Sequence, residues 1–247
     1  MNKILLGIKF SLSYFTLLPI RFHANDDLSH PRVLKVMLLS LPFVGALLAG
    51  LSIALFLGLE SLGWLGGLIA AVAYMMMYGF IHTEAVIDVA DAVYAAHCGK
   101  DPYEIIKDPT VGAMGVLYGV SFLILKVAVL STLLIHHLFV PFIAIAVISR
   151  LGLLVLIRMY DFRSSFVSQL HANCSIFPLV LVISLLGVLG FYFLSWNIFP
   201  FFGVGMATAF FLSYRTKKVL GFINGDVLGM SLEGVEFVLM MVLLTCN

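Results

Sequence analysis

Long apolar stretches separated by short polar segments are the main pattern of the chain. Two of them, Val36–Leu59 and Ser61–Ile81, contain no charged residue, and Glu60 lies in the short turn between them. A hydrocarbon core of ~30 Å needs roughly 20 helical residues to cross, so each stretch is long enough for a span. The later stretches are Val111–Ile135, Leu138–Ile157, Ala172–Tyr214 with a break predicted at Trp196–Pro200, and Val227–Cys246. The pattern predicts an all-α, polytopic membrane helix bundle of about six to seven transmembrane helices.

The N-terminal stretch gives a less definite pattern. Residues 4–20 are apolar but include Lys9 and Pro19, which predicts either a short span or a half-inserted helix. No small-x-small cleavage site follows at Arg21–Ala24, so we expect the stretch to be retained.

The composition supports a membrane protein. Of the 247 residues, 62% are hydrophobic and 11% are charged, whereas a soluble domain is about half apolar and a quarter charged. Because so little polar surface is supplied, we expect the bilayer to surround most of the chain. No internal repeat divides the sequence, so residues 1–247 are interpreted as one domain. Cys98, Cys174 and Cys246 form no CxxC pair and are expected to be free thiols.

The polar segments alternate between two sides of the predicted bundle. One side holds residues 21–35, 82–110, 158–171 and 215–226, and it carries every Lys and Arg outside the spans after residue 20. Because cytoplasmic loops carry the excess of these residues, this side is predicted to face the cytoplasm. The net charge is +1 and the basic residues form no run, so no nucleic-acid partner is expected.

The candidate chemistry lies in the segment of about 82–115. Glu84, Asp88 and Asp91 follow the second span at spacings of four and three residues, which place them on one helix face. No helix breaker interrupts residues 82–91, so we expect the helix of the second span to continue through them. Hard oxygen ligands suit Mg²⁺. On spacing alone, a magnesium site and a solvated acidic face are equally supported.

The second half of this segment offers a phosphate contact or a packing surface. Lys107-Asp108 precedes Gly112 and Gly115, which open the third span. Small residues at a helix N-terminus let backbone N–H groups approach a phosphate, and they also let membrane helices pack closely. Taken alone, the pattern favours packing.

Further charged residues lie at or inside the predicted spans, including two glutamates, Glu233 and Glu236, in the last one. Charges inside a bilayer normally face a cavity or a partner, which here is either the carboxylates above or an anionic substrate. Lys126 is near mid-span, which favours a structural ion pair, whereas Arg150 is nearer the cytoplasmic end and is predicted to bind a substrate phosphate. Asp226 is placed to cap the last helix. Glu233, two turns deeper, is a candidate metal or proton-handling group.

These residues resemble those of a known family, the cobalamin synthases or adenosylcobinamide-GDP ribazoletransferases. Residues 82–91 look like the family's HxDGxADTADG motif, and residues 104–115 are similar to its EIMKDSxxGxxG segment. Leu17–Pro19, Pro42–Gly45, Ser149-Arg150 and Gly225–Gly229 also occur in the expected order, so the resemblance covers nearly the whole chain.

The chain departs from the family pattern at several positions. Glu84 replaces the first aspartate of the acidic motif, and Ala85 and Ala92 replace its glycines. Residues 221–224 read Gly-Phe-Ile-Asn where Gly-Gly-x-Thr is usual. The departures indicate a divergent member, and a glutamate reaches one methylene further toward a metal.

The resemblance implies a transferase that uses Mg²⁺ and acts on adenosylcobinamide-GDP and α-ribazole, or its 5′-phosphate. A hydroxyl of α-ribazole attacks the phosphate attached to cobinamide and GMP leaves, in the last stage of cobalamin biosynthesis. Carried over by position, it implies metal ligands at Glu84, Asp88 and Asp91, catalytic roles for Lys107, Asp108 and Asp226, and substrate contacts at His82, Gly112, Gly115 and Arg150. Asp108 and Asp226 are expected to act either as ligands or as the base.

Two other functions remain open from the sequence. Another Mg²⁺-dependent membrane phosphoalcohol transferase would carry D-G-x-x-A-R, but Glu84-Ala85 replaces D-G and no matching arginine follows. A small transporter would line a path with Lys126, Arg150 and Glu233, although no inverted repeat is visible. The lipid bilayer is an expected partner in every case, and the sequence is compatible with a homo-oligomer.

Overall fold

The computed structural model describes residues 2–246, and this range forms a bundle of helices. Eleven α-helices and two short 3₁₀ turns, but no β-strand, occur within it, which confirms the predicted all-α class. The helices are α1 (Lys3–Phe15), α2 (Pro31–Gly58), α3 (Trp64–Met77), α4 (Ile81–His97), α5 (Pro102–Ile105), α6 (Ala113–Ile135), α7 (Phe139–Met159), α8 (Ser165–Asn173), α9 (Ile176–Leu194), α10 (Ile198–Leu220) and α11 (Gly225–Cys246).

Several of these helices are suited to a bilayer. By length and apolar composition, five helical stretches among the described residues can cross a membrane, or six if α3 and α4 count together as one bent span. They are α2, α6, α7, the stretch 176–220 that contains α9 and α10, and α11. A helix satisfies its own backbone hydrogen bonds, which hydrocarbon cannot do, so long apolar stretches become spanning helices. The predicted polytopic bundle is confirmed.

The chain reverses between α9 and α10, where the sequence predicted a break. Ser195 has a φ of 52° and begins the 3₁₀ turn Ser195–Asn197. Gly190 of α9 then lies against Ile198 of α10. Of the residues in α9 only Leu179 is buried by the rest of the protein, so this helix mainly faces lipid. A cavity of about 580 Å³ lies beside α9 and is lined by apolar residues, so it belongs to the lipid-facing surface and not to a reactive site.

The helix α1 is too short to cross the bilayer. Its 13 residues extend about 20 Å, against a hydrocarbon core of ~30 Å. Gly7 packs on α2 so closely that a Cβ on it would lie 2.6 Å from Val36 Cβ. Tyr14 contacts Phe166 of α8, with ring centroids 5.2 Å apart. The sequence left a short span and a half-inserted helix open for this stretch, and the length of α1 excludes the span.

The helix of the second predicted span does not continue into the acidic segment, so that expectation was wrong. α3 ends at Met77, α4 begins at Ile81, and the two are bent by 79°. Gly79 and Phe80 have φ values of 64° and 55°, and a residue in this left-handed region ends a helix. Residues 82–91 contain no helix breaker, but Gly79 lies just before them and the helix is interrupted there. α4 therefore runs across the end of the bundle.

The charged residues are concentrated at that same end. We call it the polar end; it holds α1, α4, α5 and α8 with the loops 16–30, 98–112, 160–164 and 221–224. Apart from Lys126 and Arg150, every Lys and Arg of the chain lies in or beside these segments. The opposite end has an exposed pair, with His137 Nε2 3.3 Å from Glu60 Oε1. The two sides predicted from the polar segments are therefore present as the two ends of the bundle.

Candidate active site

The acidic residues of α4 lie between two packed faces of that helix. On one face, Ile87 packs on Gly119 of α6, where an added Cβ would lie 2.4 Å from Ile87 Cγ1. On another face, Ala85 packs on Gly229 of α11, where an added Cβ would lie 2.8 Å from Ala85 Cβ. Residue spacing places Glu84 and Asp88 on the strip of helix between these two faces. A groove between α6 and α11 is thus left for the carboxylates.

A fourth carboxylate, Asp226 in the first turn of α11, faces the same space. We call Glu84, Asp88 and Asp226 the acidic groove. Burial, together with repulsion from the nearby carboxylates of Asp226, Glu84 and Asp91, raises the pKa of Asp88 to about 6. At neutral pH the groove therefore concentrates negative charge that a dication would neutralise.

The local sequence explains how Asp226 is held. Asn224 caps α11, because its Oδ1 accepts the backbone N–H of Val227 at 3.1 Å. Its Nδ2 donates to Asp226 Oδ2 at 2.6 Å and leaves Oδ1 of Asp226 available. The predicted capping role of Asp226 therefore belongs to Asn224, which is a preferred residue type for a helix N-cap. Asp226 is free to face the groove.

Asp91 has a different role from that of Glu84 and Asp88. Its Oδ2 accepts the backbone N–H of Gly112 and its Oδ1 that of Gly115, each at 2.6 Å. The carboxylate thus caps the N-terminus of α6, where a negative charge is favourable. The structure gives both oxygens of Asp91 a hydrogen bond, so it does not support the predicted metal role. The amides of Gly112 and Gly115 are likewise engaged, which supports the packing interpretation over phosphate contact.

The carboxylate oxygens of the acidic groove are donors of the type that Mg²⁺ binds. Among residues 2–246, no three His, Cys, Asp or Glu side chains already form a group that could hold a metal ion. Mg²⁺, however, usually binds through one or two carboxylates together with waters and substrate phosphates. Asp88 and Asp226, with Glu84 at the exposed edge, supply oxygen ligands of the right kind, and among the ion pairs of the described residues none of the three is paired with a cation. The acidic groove therefore fits such an ion when substrate completes its coordination.

Asp108 lies outside the acidic groove, in the loop before α6. Its Oδ1 accepts the backbone N–H and the hydroxyl of Thr110, at 2.9 and 2.7 Å, and these bonds hold the pKa of Asp108 below its usual value. A base with a lowered pKa is weak at neutral pH. Asp108 lines a cavity of about 290 Å³ together with Asp91 and Lys100. The structure therefore favours a role for Asp108 in shaping this cavity.

Lys107 belongs to a second group of residues that the sequence did not identify. Its Nζ lies 4.0 Å from the ring centroid of Tyr103, and Arg163 Cζ lies 3.5 Å from the same centroid. Arg163 comes from the loop between α7 and α8, far from the motifs. A single arginine in a polar loop gives no sequence signal of this contact.

Inside the bundle, a network of four charges joins α6, α7 and α11. Lys126 forms ion pairs with Glu233 and Glu236, the latter at 2.7 Å, and Arg150 forms an ion pair with Glu236. All four side chains are at most 1% exposed. Tyr74 donates to Glu236 Oε1 at 2.7 Å. The structural ion pair predicted for Lys126 is confirmed, with partners that were not predicted.

This network changes the interpretation of Arg150 and Glu233. Arg150 is 1% exposed and bound to Glu236 and Tyr74, so the structure does not bring it to the acidic groove or to a cavity. A predicted phosphate contact at Arg150 is therefore not supported. Glu233 is paired with Lys126, which gives it a structural explanation instead of a metal role.

The network also holds the start of α4. Tyr78 and Thr83, which flank the bend between α3 and α4, both donate to Glu233 Oε1, at 2.6 and 3.1 Å. His82 is 5% exposed, and its ring stacks on Phe15 with centroids 6.1 Å apart. A predicted substrate contact at His82 is not supported, because the ring is covered by α1. The first turn of α4, which contains Glu84, is fixed to the buried core, and Asp88 one turn further on is positioned by it.

These features together describe a surface for anionic chemistry. Carboxylates that attract a dication lie at the polar end, and cations that attract phosphate lie at the same end. Phosphoryl transfer asks a protein mainly for positioning and for neutralisation of phosphate charge. The polar end has the groups for both tasks.

Comparison with known proteins gives one consistent result. Residues 7–244 match the family model described as cobalamin-5-phosphate synthase. A protein of Clostridium perfringens strain SM101, named adenosylcobinamide-GDP ribazoletransferase, is 29% identical over 242 residues, covering 94% of each chain. A protein of the same name from Chlorobaculum tepidum is 29% identical, covering 79% of this chain and 80% of its own. Another from Escherichia coli strain K12 is 26% identical, covering 94% of this chain and 97% of its own. No solved structure matches the chain.

Proposed function

Because this chain belongs to the cobalamin-5-phosphate synthase family, we propose that it joins adenosylcobinamide-GDP to α-ribazole, or to α-ribazole 5′-phosphate, with release of GMP. The name of the relatives, adenosylcobinamide-GDP ribazoletransferase, supports this pair of substrates. The observation that carries the proposal is the acidic groove, in which Asp88 and Asp226 on different helices approach one another at the polar end. A diphosphate substrate bound with Mg²⁺ matches a groove of unneutralised carboxylates.

The proposed reaction is a displacement at phosphorus. A hydroxyl oxygen of α-ribazole forms a bond to the phosphorus that carries cobinamide, and the bond from that phosphorus to the bridging oxygen of the diphosphate breaks. GMP leaves with the bridging oxygen and its electron pair. The hydroxyl proton passes to a base or to water. The products are adenosylcobalamin, or its 5′-phosphate, and GMP.

The residues of the groove have separate tasks in this proposal. Glu84, Asp88 and Asp226 would hold the metal ion, and a bound ion would neutralise charge on the phosphate oxygens. Oδ1 of Asp226, which Asn224 does not engage, is the proposed acceptor of the hydroxyl proton. Asp91 acts indirectly, because its bonds to Gly112 and Gly115 fix α6 against α4.

We also propose that the polar end faces the cytoplasm of a bacterial inner membrane. The Lys and Arg residues outside the membrane are at this end, as the positive-inside rule requires of a cytoplasmic side. Nucleotide-activated substrates are made in the cytoplasm, which agrees with a groove opening on that side.

Two alternatives are less well supported. A transporter would need its intramembrane charges to line a path, but Lys126, Arg150 and Glu233 are buried and paired. A phosphoalcohol transferase acting on CDP-activated lipids would share the carboxylate chemistry, but the chain matches the cobalamin-5-phosphate synthase model over residues 7–244.

The proposal is tested by measuring GMP release from adenosylcobinamide-GDP by purified protein in lipid discs. We expect release that depends on both α-ribazole and Mg²⁺, and no release from wild type under these conditions contradicts the proposed function. Asp88→Asn preserves size but removes a ligand charge, so its rate should fall at least about tenfold and need more Mg²⁺. Asp161→Asn, an exposed carboxylate of the same end, is the matched control. Overlapping Mg²⁺ curves for wild type and Asp88→Asn would exclude the metal role.

A further inference from the structure

Two cations meet at one aromatic ring on the polar end, outside the acidic groove. Arg163 Cζ is 3.5 Å and Lys107 Nζ is 4.0 Å from the ring centroid of Tyr103. Phe222 packs edge-on against the same ring, with centroids 5.2 Å apart and planes at 87°. We call Tyr103, Lys107, Arg163 and Phe222 the cation–aromatic cluster. It brings together α5, the loop between α7 and α8, and the loop before α11.

The backbone around the cluster is held in place on each side. Arg163 donates its backbone N–H to the carbonyl of Ile223 at 2.9 Å, which ties its loop to the start of α11. Asp101 caps α5 by accepting the backbone N–H of Tyr103 at 2.8 Å. Phe222 is buried beneath the ring. The backbone that carries both cations is therefore held in place before any ligand arrives.

The cluster has positive charge without an internal counter-charge. Both cations lie within 4.0 Å of one centroid, so they repel each other at short range. Among the ion pairs of residues 2–246, neither Lys107 nor Arg163 has a carboxylate partner within 4.0 Å. A hydrogen bond from Lys107 and the charges of both cations hold the pKa of Tyr103 below its usual value. An anion bound here would relieve the repulsion.

The arrangement of Arg163 suits a phosphate group in particular. At 3.5 Å its guanidinium lies over the ring of Tyr103, and no carboxylate of the described residues forms an ion pair with the guanidinium edge. Such an edge presents two parallel donors to two phosphate oxygens. A nucleobase stacks on an open aromatic face, and the Tyr103 ring already has Arg163 and Lys107 over it, so the cluster favours phosphate over base.

We propose that Arg163, assisted by Lys107, binds the diphosphate of the nucleotide-activated substrate. The inference rests on the proposed function, since it assigns a subsite for the same substrate. The location supports it, because the carbonyl that holds Arg163 belongs to Ile223, three residues before Asp226 of the acidic groove. Residues of α4 next to Asp88, including Val89 and Ala92, pack with Ile223 and Phe222 in one small apolar core. The diphosphate would then lie between the metal-binding carboxylates and Arg163.

The test uses full-length protein in lipid discs with GDP as the probe in equilibrium binding. Arg163→Gln removes the charge and should raise the Kd for GDP about tenfold or more, with a matching rise in KM for adenosylcobinamide-GDP. The KM for α-ribazole should stay unchanged. Arg158→Gln, an exposed arginine near the end of α7 without a ring contact, is the matched control and should bind GDP like wild type.

A second variant covers the case in which Arg163→Gln loses the fold. Arg163→Lys keeps the charge but loses the two-pronged donor edge. Weaker GDP binding by Arg163→Lys at an unchanged melting temperature supports the proposal. If Arg163→Lys binds GDP as tightly as wild type does, the proposal is overturned.

The lipid composition separates substrate phosphate from a lipid headgroup. The same measurements are made in discs of neutral and of anionic lipid. A loss of GDP binding in both kinds of disc supports the proposal. If GDP binding is intact and Arg163→Gln changes only the response to anionic lipid, the cluster is a headgroup site and the proposal is wrong. Wild type that binds GDP but releases no GMP contradicts the proposed function alone.

Discussion

Replacing Lys126 with Met is the most direct test of how the bundle is stabilised. Lys126 is completely buried, and its Nζ binds Glu233 and, at 2.7 Å, Glu236. Arg150 binds the other oxygen of Glu236, so the four charges sum to zero. Met matches the length of the lysine stem but has no charge. After Lys126→Met, two carboxylates share one cation in a region without water.

The size of the effect follows from that imbalance. Removing one partner of a buried ion pair costs about 3–5 kcal/mol, because the other charge stays buried and uncompensated. Lys126 contacts two carboxylates, which places the cost toward the upper part of that range. For a chain of this size, about 2–4 °C of melting temperature corresponds to each kcal/mol. We therefore expect the melting temperature to fall by about 6–20 °C.

The assay is thermal melting of purified protein in one detergent, read by the fraction that remains monodisperse. Lys218→Met, at an exposed lysine near the end of α10, is the control and should change stability by no more than about 0.5 kcal/mol. The double variant Lys126→Met with Glu233→Gln restores a net charge of zero, so it should recover at least half of the loss. A double variant that melts below the single one, or a single variant that melts like wild type, would refute the charge-balance argument.

Two further predictions concern α4 and its neighbours. In Gly115→Ala, the new Cβ would lie 2.3 Å from Asp91 Oδ2, so α6 must move away from α4, and stability should fall by about 1–3 kcal/mol in the same melting assay. The control is Gly187→Ala, which has open space around it and should be neutral or slightly stabilising. Equal losses of stability in the two variants would exclude the packing explanation. The pKa of Asp88 is raised from 3.8 to about 6 by burial and by the neighbouring carboxylates, so the folded protein holds a proton that the unfolded chain releases. The resulting stability is present below pH ~4 and is lost as the pH rises through about 6. In EDTA, wild type should therefore lose more stability over this window than Asp88→Asn does, and parallel melting curves would contradict the prediction.

The spans could be predicted from the sequence because one physical rule decides them. An apolar stretch in hydrocarbon has to be helical, so Val111–Ile135 and Val227–Cys246 were located within about two residues of the helices observed. The acidic stripe was also predictable, since helical spacing alone puts Glu84 and Asp88 on one side of α4. These predictions depend only on local sequence.

The remaining features depend on contacts between distant parts of the chain. Lys126 and Glu233 are 107 residues apart, and Asp91 and Gly115 are 24 apart, so no local pattern pairs them. The sequence did contain one indication of the buried ion pairs, because the two cations in the middle spans match the two carboxylates in the last span. The bend after α3 was missed because Gly79 was treated as part of an apolar run. Arg163 approaches Tyr103 through loop packing, which hydropathy and spacing do not encode.

The pairing of the buried charges has a consequence for biosynthesis. The cations of α6 and α7 emerge from the ribosome before Glu236, with 110 and 86 residues between them and that partner. At 5–20 residues per second, each cation therefore waits for about 4–22 s before its counter-charge is made. During that interval each cation is unpaired, so inserting α6 and α7 into the hydrocarbon costs free energy. The two helices remain substrates for membrane proteases and for the insertion machinery. The synthesis of α11 supplies the counter-charges of both cations and ends that exposure.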